Sequence, residues 1–316
     1  MPQPTSSDVH VDRPLTNISV AYIQDQNVFV STKVFPILPV DKQSDLYFVY
    51  TKNDWFRDEA QRRAPSTESA GSGYTLSTDS YNCDVYAVHK DVDNRVIANA
   101  DIPLNPIQDA TRWVTQKMLI KQERIWVADY FTSGVWDTDV TPADLWSDYA
   151  ASDPLNDLEA GKEAILGVTG FEPNTLVMGW QVMRQLKHHP DLVDRIKYTQ
   201  VGLATEDLLA TLLGVQRIMV VRSIYATNAE GEAEAYDFNV GKSALLMYVA
   251  PSPGLYTPSA GYTFAWRGVS QGIGAEIGIS TLPMRQIKSQ RIEAEKAWDN
   301  KLVATDMGYF LDGVVA

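Results

Sequence analysis

The stretch Asn174-Thr-Leu-Val-Met-Gly179 runs directly into Trp180-Gln-Val-Met-Arg-Gln-Leu-Lys-His-His189, and these two segments decide the fold class. The first is a short apolar run, which predicts a buried strand, and the second has helical spacing and ends before Pro190. A Leu-rich helix ending at Gly214 follows, and then two more predicted strands at residues 216–225 and 244–250. This alternation predicts an α+β or α/β domain with a central sheet.

Composition narrows the class of protein. The 316 residues are 45% hydrophobic and 21% charged, which allows one large or two modest domains. No apolar run approaches the roughly 20 residues that span a bilayer, and the first residues lack the pattern of a secretory signal. The single cysteine, Cys83, excludes an intrachain disulfide and fits a cytosolic setting. We interpret Cys83 as a small apolar strand residue.

The net charge bears on partners. Acidic residues outnumber basic ones by 40 to 27, the formal net charge is −13, and no basic run exceeds two residues. Proteins that bind phosphates tightly usually present a basic patch, because counterion release drives that binding. Tight nucleic-acid binding is therefore disfavoured, whereas an acidic surface suits a container wall around polyanionic contents.

The first ninety residues predict an arm followed by a long ribbon. Residues 1–41 are punctuated by prolines and carry only scattered apolar residues, so they cannot form a core of their own. Residues 42–91 predict a two-stranded hairpin, in which the alternating run 46–50 pairs with the returning run 81–89. The connection 51–73 is too long for a tight turn. An isolated ribbon is marginal in water, so we expect a neighbouring surface to support it.

A long helix is predicted from Pro106 to about Phe131. Asn105 is a good N-cap, Pro106 suits the first helical position, and Gln108 completes a variant capping box. At ~1.5 Å per residue the helix is roughly 40 Å long and resembles a strut. One predicted apolar stripe comprises Ile107, Ala110, Val114, Met118, Ile125 and Ala128. A second apolar set, which comprises Trp113, Ile120 and Trp126, is predicted to lie outside that stripe.

The remaining elements complete the α+β pattern. Asp153 and Pro154 predict a second capped helix, which we expect Gly167 to end, with Leu155, Leu158, Ile165 and Leu166 on one side. Residues 230–234 are acidic and predict a hairpin turn between two strands. Residues 262–266 and 297–304 again have the alternation of strands.

Several short motifs could carry chemistry, and we predict that none does. Gly241-Lys242-Ser243 matches the end of a phosphate-binding loop, but Tyr236 replaces the required glycine and a strand follows, so we predict a turn. Residues 272–278 resemble a dinucleotide fingerprint with one residue too many. His188 and His189 diverge by ~100° on a helix and cannot share one metal ion. The sequence therefore predicts no catalytic, cofactor-binding or metal-binding residues and no cofactor.

Aromatic residues are frequent outside the predicted core elements. The chain has eight Trp and fifteen Tyr, and aromatic residues supply much of the energy at protein interfaces. We expect about half of the following set to serve interfaces and the rest to pack in the core. The set comprises Tyr22, Tyr47, Trp55, Trp136, Trp146 and Tyr149.

Several segments of the sequence, taken in their order along the chain, resemble those of a known protein family. Pro173-Asn-Thr-Leu-Val-Met-Gly179, Lys187-His-His-Pro190, Asp191-Leu-Val-Asp-Arg-Ile-Lys197, Leu212-Leu-Gly-Val215 and Leu245-Leu-Met-Tyr-Val249 resemble the axial domain of major capsid proteins of tailed bacteriophages. Phe35-Pro-Ile-Leu-Pro-Val40, followed by Tyr47 and Asp54-Trp55, is similar to the arm-to-loop text of the same family. The resemblance extends over nearly the whole chain.

The resemblance implies the α+β Hong Kong 97-type capsid fold. It implies an N-terminal arm at 1–41, an extended loop at 42–91, a peripheral domain with a spine helix at 92–150, an axial domain at 151–260 and returning strands at 261–316. It also implies a shell protein without enzymatic activity, assembled as pentamers and hexamers into an icosahedral virion shell. An encapsulin-like compartment is the alternative.

The resemblance also implies partners. We expect a portal, possible decoration proteins, no membrane contact, and only weak non-specific contact with packaged double-stranded DNA. Because the arm begins almost at Met1, we expect a separate scaffolding protein or earlier trimming, with assembly in the host bacterial cytoplasm. Lys52 is the one clear residue for the loop cross-link of some family members, and we do not predict a cross-link.

Overall fold

The computed structural model of the chain describes residues 23–100, 104–196, 205–254, 256–269 and 277–316. The helices are α1 (Ser31–Val34), α2 (Lys52–Trp55), α3 (Asn94–Asn99), α4 (Pro106–Tyr130), α5 (Pro154–Thr169), α6 (Trp180–His188), α7 (Pro190–Ile196) and α8 (Glu206–Leu212). The strands are β1 (Ile37–Val40), β2 (Ser44–Tyr50), β3 (Leu76–Asn82), β4 (Asp84–Asp93), β5 (Thr138–Val140), β6 (Thr175–Gly179), β7 (Arg217–Val221), β8 (Ile224–Ala226), β9 (Tyr236–Phe238), β10 (Ala244–Met247), β11 (Gly261–Trp266), β12 (Gly278–Met284), β13 (Ser289–Leu302) and β14 (Gly308–Leu311). The predicted α+β class is confirmed.

The predicted central sheet is five-stranded, with the order β5-β14-β10-β6-β7, and we call it sheet I. β10 runs antiparallel to β6 and β14, whereas β7 is parallel to β6 and β5 is parallel to β14. The strand predicted at 216–225 was too long, because β7 ends at Val221 and β8 pairs with β9 in a separate hairpin. The acidic turn predicted between β8 and β9 is confirmed.

Both faces of sheet I are covered by core. In β6, Leu176 and Met178 face a core built with α5 and α6, whereas Val177 faces a second core that contains the end of α4. All three side chains are fully buried, and the burial of such a side chain contributes about 1.5–3 kcal/mol. Burial on both faces therefore explains why β6 is an uninterrupted run of apolar residues.

The helix α5 ends later than its sequence indicates. Gly167 was predicted as the stop, but the helix continues to Thr169 and ends at Gly170, which has φ of 75° and whose N–H donates to the Leu166 carbonyl. The left-handed conformation that closes such a helix end favours glycine, and two glycines compete for the role in this sequence. Leu166, predicted on the buried side, is 47% exposed.

A second five-stranded sheet, sheet II, contains β1, β11, β13, β12 and β4. β13 is its central strand and pairs antiparallel with β4, β11 and β12. The returning strand of the ribbon was wrongly placed at 81–89, because β2 pairs with β3 and the later residues form β4 in sheet II. Alternation identified β4 as a strand correctly, but it could not distinguish between two possible partners.

The long helix predicted from Pro106 is α4, and its cap is confirmed, since Asn105 Oδ1 accepts a hydrogen bond from Gln108 N at 3.3 Å. Its buried row has a strict spacing of four and comprises Ala110, Val114, Met118, Gln122, Trp126 and Tyr130. The predicted stripe holds from Ile107 to Ile125, which packs against the same core as Met118, and it is wrong at Ala128. Trp126 is fully buried, whereas Ala128 is exposed. The polar residue Gln122 interrupted the apolar pattern.

The described part of the arm is packed against the same chain. Val30, Val34 and Phe35 are buried in the core that lies between α4 and sheet I, and Phe29 beside them is also buried. β1 adds a parallel strand to sheet II through β11. The described residues of the arm are therefore ordered on surfaces of the chain itself. Residues 1–22, which include Tyr22, lie outside the described residues.

Candidate functional site

The Gly-Lys-Ser segment forms a turn before a strand, as predicted. Ser243 Oγ donates to Asp312 Oδ1 at 2.9 Å and accepts from Gly313 N at 3.3 Å, and β10 begins at the next residue. A Cβ on Gly179 would lie 2.0 Å from the Gly241 carbonyl oxygen, so the turn is pressed against the end of β6. The segment is bound to the C-terminal strand region and opens no helix.

The glycine-rich segment at residues 272–278 falls only partly on described residues. Gly272 and Gly274 lie outside them, and Gly278 is the first residue of β12.

His189 is buried and lies beside a serine and an aspartate. Its Nε2 is 3.1 Å from Ser152 Oγ, and its Nδ1 is 3.6 Å from Asp191 Oδ2. The Asp191 N–H donates to Nδ1 at 3.4 Å, and the Ser152 hydroxyl donates to the Asp148 carbonyl at 2.6 Å. These partners place the imidazole proton on Nε2, pointing to Ser152.

That proton arrangement is the reverse of the one in a serine nucleophile. A catalytic histidine must accept the serine proton at the facing nitrogen, whereas here the serine accepts from the ring. The ring joins the turn before α5 to the start of α7, and the Tyr149 ring meets it edge to face at 5.5 Å. His188 is exposed while His189 is buried, so the predicted divergence of the pair is confirmed.

Cys83 is also a structural residue. It lies between β3 and β4, where we had placed it inside a strand, and its side chain is fully buried beside the Phe264 carbonyl at 3.6 Å. Burial raises the pKa of the thiol to about 11. The thiolate, which is the nucleophilic form, is therefore suppressed at neutral pH.

The ribbon β2–β3 presents one apolar face that no described residue covers. Leu46 and Phe48 are 62% and 66% exposed, and they lie opposite Ser80 and Thr78 in the register. The other face packs on sheet II, where the Tyr47 ring lies 5.5 Å from that of Phe264. Exposed apolar side chains grouped in this way mark interaction sites more often than single ones do.

An aromatic cluster closes the end of the ribbon, and it comprises Tyr50, Trp55, Tyr74 and Tyr256. Their ring centroids lie 5.2–6.4 Å apart, and Trp55, Tyr74 and Tyr256 are each more than half exposed. Tyr256 has φ of 59°, a conformation that costs energy for a bulky residue.

The two ends of the connection between β2 and β3 are held together by hydrogen bonds. Asp54 accepts hydrogen bonds from both the N–H and the hydroxyl of Thr75, and these bonds lower the pKa of Asp54. Lys52 forms an ion pair with Asp306 of the same chain. Residues 56–74 therefore leave and return at one point, which keeps the cluster together.

The edge strand β12 of sheet II carries exposed apolar side chains on both of its faces. Ile279 and Leu282 are 46% and 45% exposed and lie on opposite faces, because their partners in β13 are Ala294 and Arg291, and Ile287 in the following turn is 49% exposed. In the described part of the chain, β12 pairs with β13 alone, so its other edge has free backbone groups. Such an edge can accept a strand from another chain.

A buried carboxylate and a guanidinium hold the arm, and the sequence did not indicate either. Glu123 of α4 is fully buried and accepts from the N–H groups of Val30 and Ser31 at 2.8–3.1 Å. Arg217 donates to the carbonyls of Lys33 and Val34 at the other end of α1. Burial raises the pKa of Glu123 and lowers the pKa of Arg217, and the paired backbone groups offset that cost.

Among the aromatic residues singled out in the sequence, Trp136 and Trp146 are buried and Tyr47 is half-buried against Phe264, whereas Trp55 and Tyr149 are exposed. A role of the exposed ones at interfaces stays a prediction. Among the described residues, none of the helices is both long and apolar enough to cross a membrane. The same part of the chain contains no cluster of three or more His, Cys, Asp or Glu residues with metal-binding geometry. The predicted absence of catalytic and cofactor sites stays a prediction.

The whole chain was compared with known protein families and with individual proteins. No protein-family model matches the chain. The major capsid protein of Burkholderia phage BcepMu is 26% identical over 317 residues, which cover 96% of this chain and 96% of that protein.

Solved structures share the fold. A phage-related protein from Bordetella bronchiseptica covers 92% of this chain and 94% of its own, with a TM-score of 0.69 and 23% identity. The capsid structure of cyanophage P-SCSP1u covers 96% and 93%, with a TM-score of 0.62 and 8% identity. An encapsulin from Synechococcus elongatus covers 96% and 94%, with a TM-score of 0.57 and 13% identity. The Hong Kong 97-type capsid fold and the resemblance to tailed-phage major capsid proteins are confirmed.

Proposed function

We propose that this chain is the major capsid protein of a tailed bacteriophage. It is a structural subunit that assembles with itself, as pentamers and hexamers, into the icosahedral shell around a double-stranded DNA genome. The observation that carries the proposal is the similarity to a phage major capsid protein along 96% of both chains. The chain is a component of the virion, has no enzymatic activity and is assembled in the host cytoplasm.

The exposed apolar surfaces supply the physical basis for assembly. The ribbon face with Leu46 and Phe48 and the edge of sheet II with Ile279 and Leu282 are different surfaces of one chain. Contacts between unlike surfaces are heterologous and generate rings or larger assemblies instead of simple dimers. Burial of each such side chain contributes about 1.5–3 kcal/mol, so a few contacts per subunit suffice when many subunits join.

The division of the chain follows the same logic. Residues 1–41 serve as the arm, 42–91 as the extended loop, 92–150 as the peripheral domain with the spine helix, 151–260 as the axial domain, and 261–316 as returning strands. The return contributes to both sheets, because β13 lies in sheet II and β14 in sheet I. A scaffolding protein, a portal and possible decoration proteins are the expected partners.

Virion analysis tests the proposal directly. Heads purified from the phage whose genome encodes this chain should contain it as the most abundant protein, in hundreds of copies, by quantitative mass spectrometry. Absence from the heads, or presence in a few copies, contradicts the proposal.

The ribbon surface can be tested separately. In the complete phage, the pair Leu46→Ser and Phe48→Ser should abolish closed heads while the purified chain keeps its unfolding midpoint. The matched pair Leu166→Ser and Val168→Ser removes exposed apolar side chains of α5. Normal heads from the ribbon pair, or equal loss from both pairs, would exclude the ribbon face as a specific contact.

An encapsulin-like compartment is the second candidate, and the shared fold with an encapsulin favours it. The two functions differ in contents. Particles that hold a cargo protein and no DNA would establish the compartment, whereas particles that hold the genome establish the capsid.

A further inference from the structure

One side of α4 carries a row of one tryptophan and three cations. Trp113, Lys117 and Lys121 are spaced by four residues, and Arg124 follows three residues later. Each of the first three lies one position before a member of the buried row, so the cationic row is turned by ~100° from the core. All four are exposed, and at ~1.5 Å per residue they extend over about 16 Å of the helix.

Every cation in this row lies over an aromatic ring. The Nζ atoms of Lys117 and Lys90 lie 4.7 and 5.3 Å from the centroid of the Trp113 ring. We name the whole set the basic face, and it comprises Lys90, Lys117, Lys121 and Arg124 with the rings of Tyr86, Trp113 and Tyr225. The Lys121 Nζ lies 5.8 Å from the Tyr86 ring, and the Arg124 Cζ lies 4.3 Å from the Tyr225 ring.

The rings hold these long side chains in place without neutralising them. A ring attracts a cation through its quadrupole but contributes no negative charge. None of the four cations forms an ion pair with a described residue. The basic face therefore keeps its full positive charge in a chain whose formal net charge is −13.

Few carboxylates of α4 and β13 lie beside the basic face. The only carboxylate of α4 between Asp109 and Asp129 is that of Glu123, which is buried and directed at the arm. On sheet II, the side chains of β13 that lie on the side away from α4 include Glu293 and Glu295, because Ile292 and Ala294 face the helix. Asp84 and Asp129 lie near the Tyr86 ring, and Arg291 lies on the same side of β13 as the two glutamates, so the excess of positive charge is confined to the basic face itself.

We propose that the basic face binds the phosphate backbone of the packaged double-stranded DNA. This inference rests on the proposed function, which puts DNA on one side of the shell, and it assigns α4 to that side. A straight row of fixed cations suits a regular linear polyanion, whereas a flexible acidic peptide needs no such alignment. The contact is independent of base sequence, because lysine and arginine on a helix surface reach phosphates without entering a groove.

A salt titration of DNA binding tests the inference. The full-length, unassembled chain is mixed with a short labelled duplex, and binding is followed by fluorescence anisotropy at increasing NaCl. The test variant combines Lys117→Gln, Lys121→Gln and Arg124→Gln. Each phosphate contact contributes ~0.9 to the slope of log K against log salt, so the slope should become shallower by about 2–3.

The matched control combines Arg184→Gln, Arg285→Gln and Lys288→Gln, which remove the same charge from other exposed positions. Its slope should stay at the wild-type value. A rescue variant with Lys117→Arg, Lys121→Arg and Arg124→Lys should restore binding. Equal slopes for the test and control variants would overturn the proposal, as would a polyglutamate peptide that binds as tightly as DNA and loses affinity equally in the test variant.

Electron microscopy of phage heads separates this inference from the proposed function. If the test variant builds closed shells and its DNA binding is unchanged, the basic face is excluded while the capsid function stands. The opposite outcome is also distinguishable. If the wild-type chain forms no shells, but the salt slope of DNA binding is shallower for the test variant than for the wild type, the phosphate contact stands and the capsid function is rejected.

Discussion

Lys296 provides a sharp test of how α4 is fastened to sheet II. Its side chain is 4% exposed, and its Nζ donates to Gln122 Oε1 at 3.0 Å. Burial lowers the pKa of Lys296 from 10.5 to about 8. Because the folded pKa is below the unfolded one, the unfolded chain binds the proton more tightly, so stability rises with pH between about 8 and 10.5.

The magnitude follows from the shift. Since each pKa unit corresponds to about 1.4 kcal/mol, the burial of Lys296 costs about 3 kcal/mol at pH 7, where the folded side chain is charged, and about 1.4 kcal/mol at pH 9.5, where the cost is that of removing its proton. Lys296→Met removes the titration. The difference in free energy of unfolding, wild type minus variant, should therefore increase by about 2 kcal/mol from pH 7 to pH 9.5.

Urea unfolding of the dilute, unassembled chain measures that difference. Constant terms, such as the acceptor of Gln122 left unpaired in the variant, cancel when the two pH values are compared. Lys288→Met at an exposed position is the control, and its difference from the wild type should not change with pH. If the difference in free energy of unfolding between the wild type and Lys296→Met stays constant from pH 7 to 9.5, the reasoning is refuted.

Three further predictions concern packing and the arm. Trp126→Ala should lower the free energy of unfolding by about 3–5 kcal/mol in urea titration, whereas Trp113→Ala at a half-exposed site should change it by less than about 1 kcal/mol. Glu123→Ala leaves two buried N–H groups unpaired, at a cost of about 1–3 kcal/mol each, so hydrogen exchange at the amides of α1 should accelerate; unchanged protection would contradict the role of Glu123. Gly179→Ala should prevent accumulation of folded chain, because the new Cβ would meet a backbone oxygen at 2.0 Å, whereas Gly241→Ala meets nothing within 4 Å and should express normally.

Three strands of sheet I, β6, β7 and β10, and the helix α6 were predictable because each carries a strong local signal, whereas the short strands β5 and β14 were not predicted. β6 is apolar throughout and α6 has a clear amphipathic spacing, so burial and local propensity agree. The ribbon was harder, because alternation marks β4 as a strand without naming its partner. Pairing is decided by distant residues, here those of β13, and a sequence read locally does not contain that information.

The polar features of α4 were missed for a related reason. Gln122 and Glu123 are buried because they meet Lys296 and the arm turn, so their polarity conceals a core position. The basic face escaped notice because its cations are four residues apart in the chain and form no run. A search for like charges at helical spacing, with carboxylates absent between them, would have found it.

The separation of cores from exposed surfaces explains how one chain can be both a stable subunit and a component of a shell. Buried contacts within the chain, such as those of Glu123 with the arm, do not depend on neighbours, so we expect the described arm to stay packed in the unassembled chain. The apolar ribbon face and the edge of β12 contribute nothing to those cores. Substitutions in the cores should therefore change the unfolding of the unassembled chain, whereas substitutions on the surfaces should leave it unchanged and alter particle formation alone.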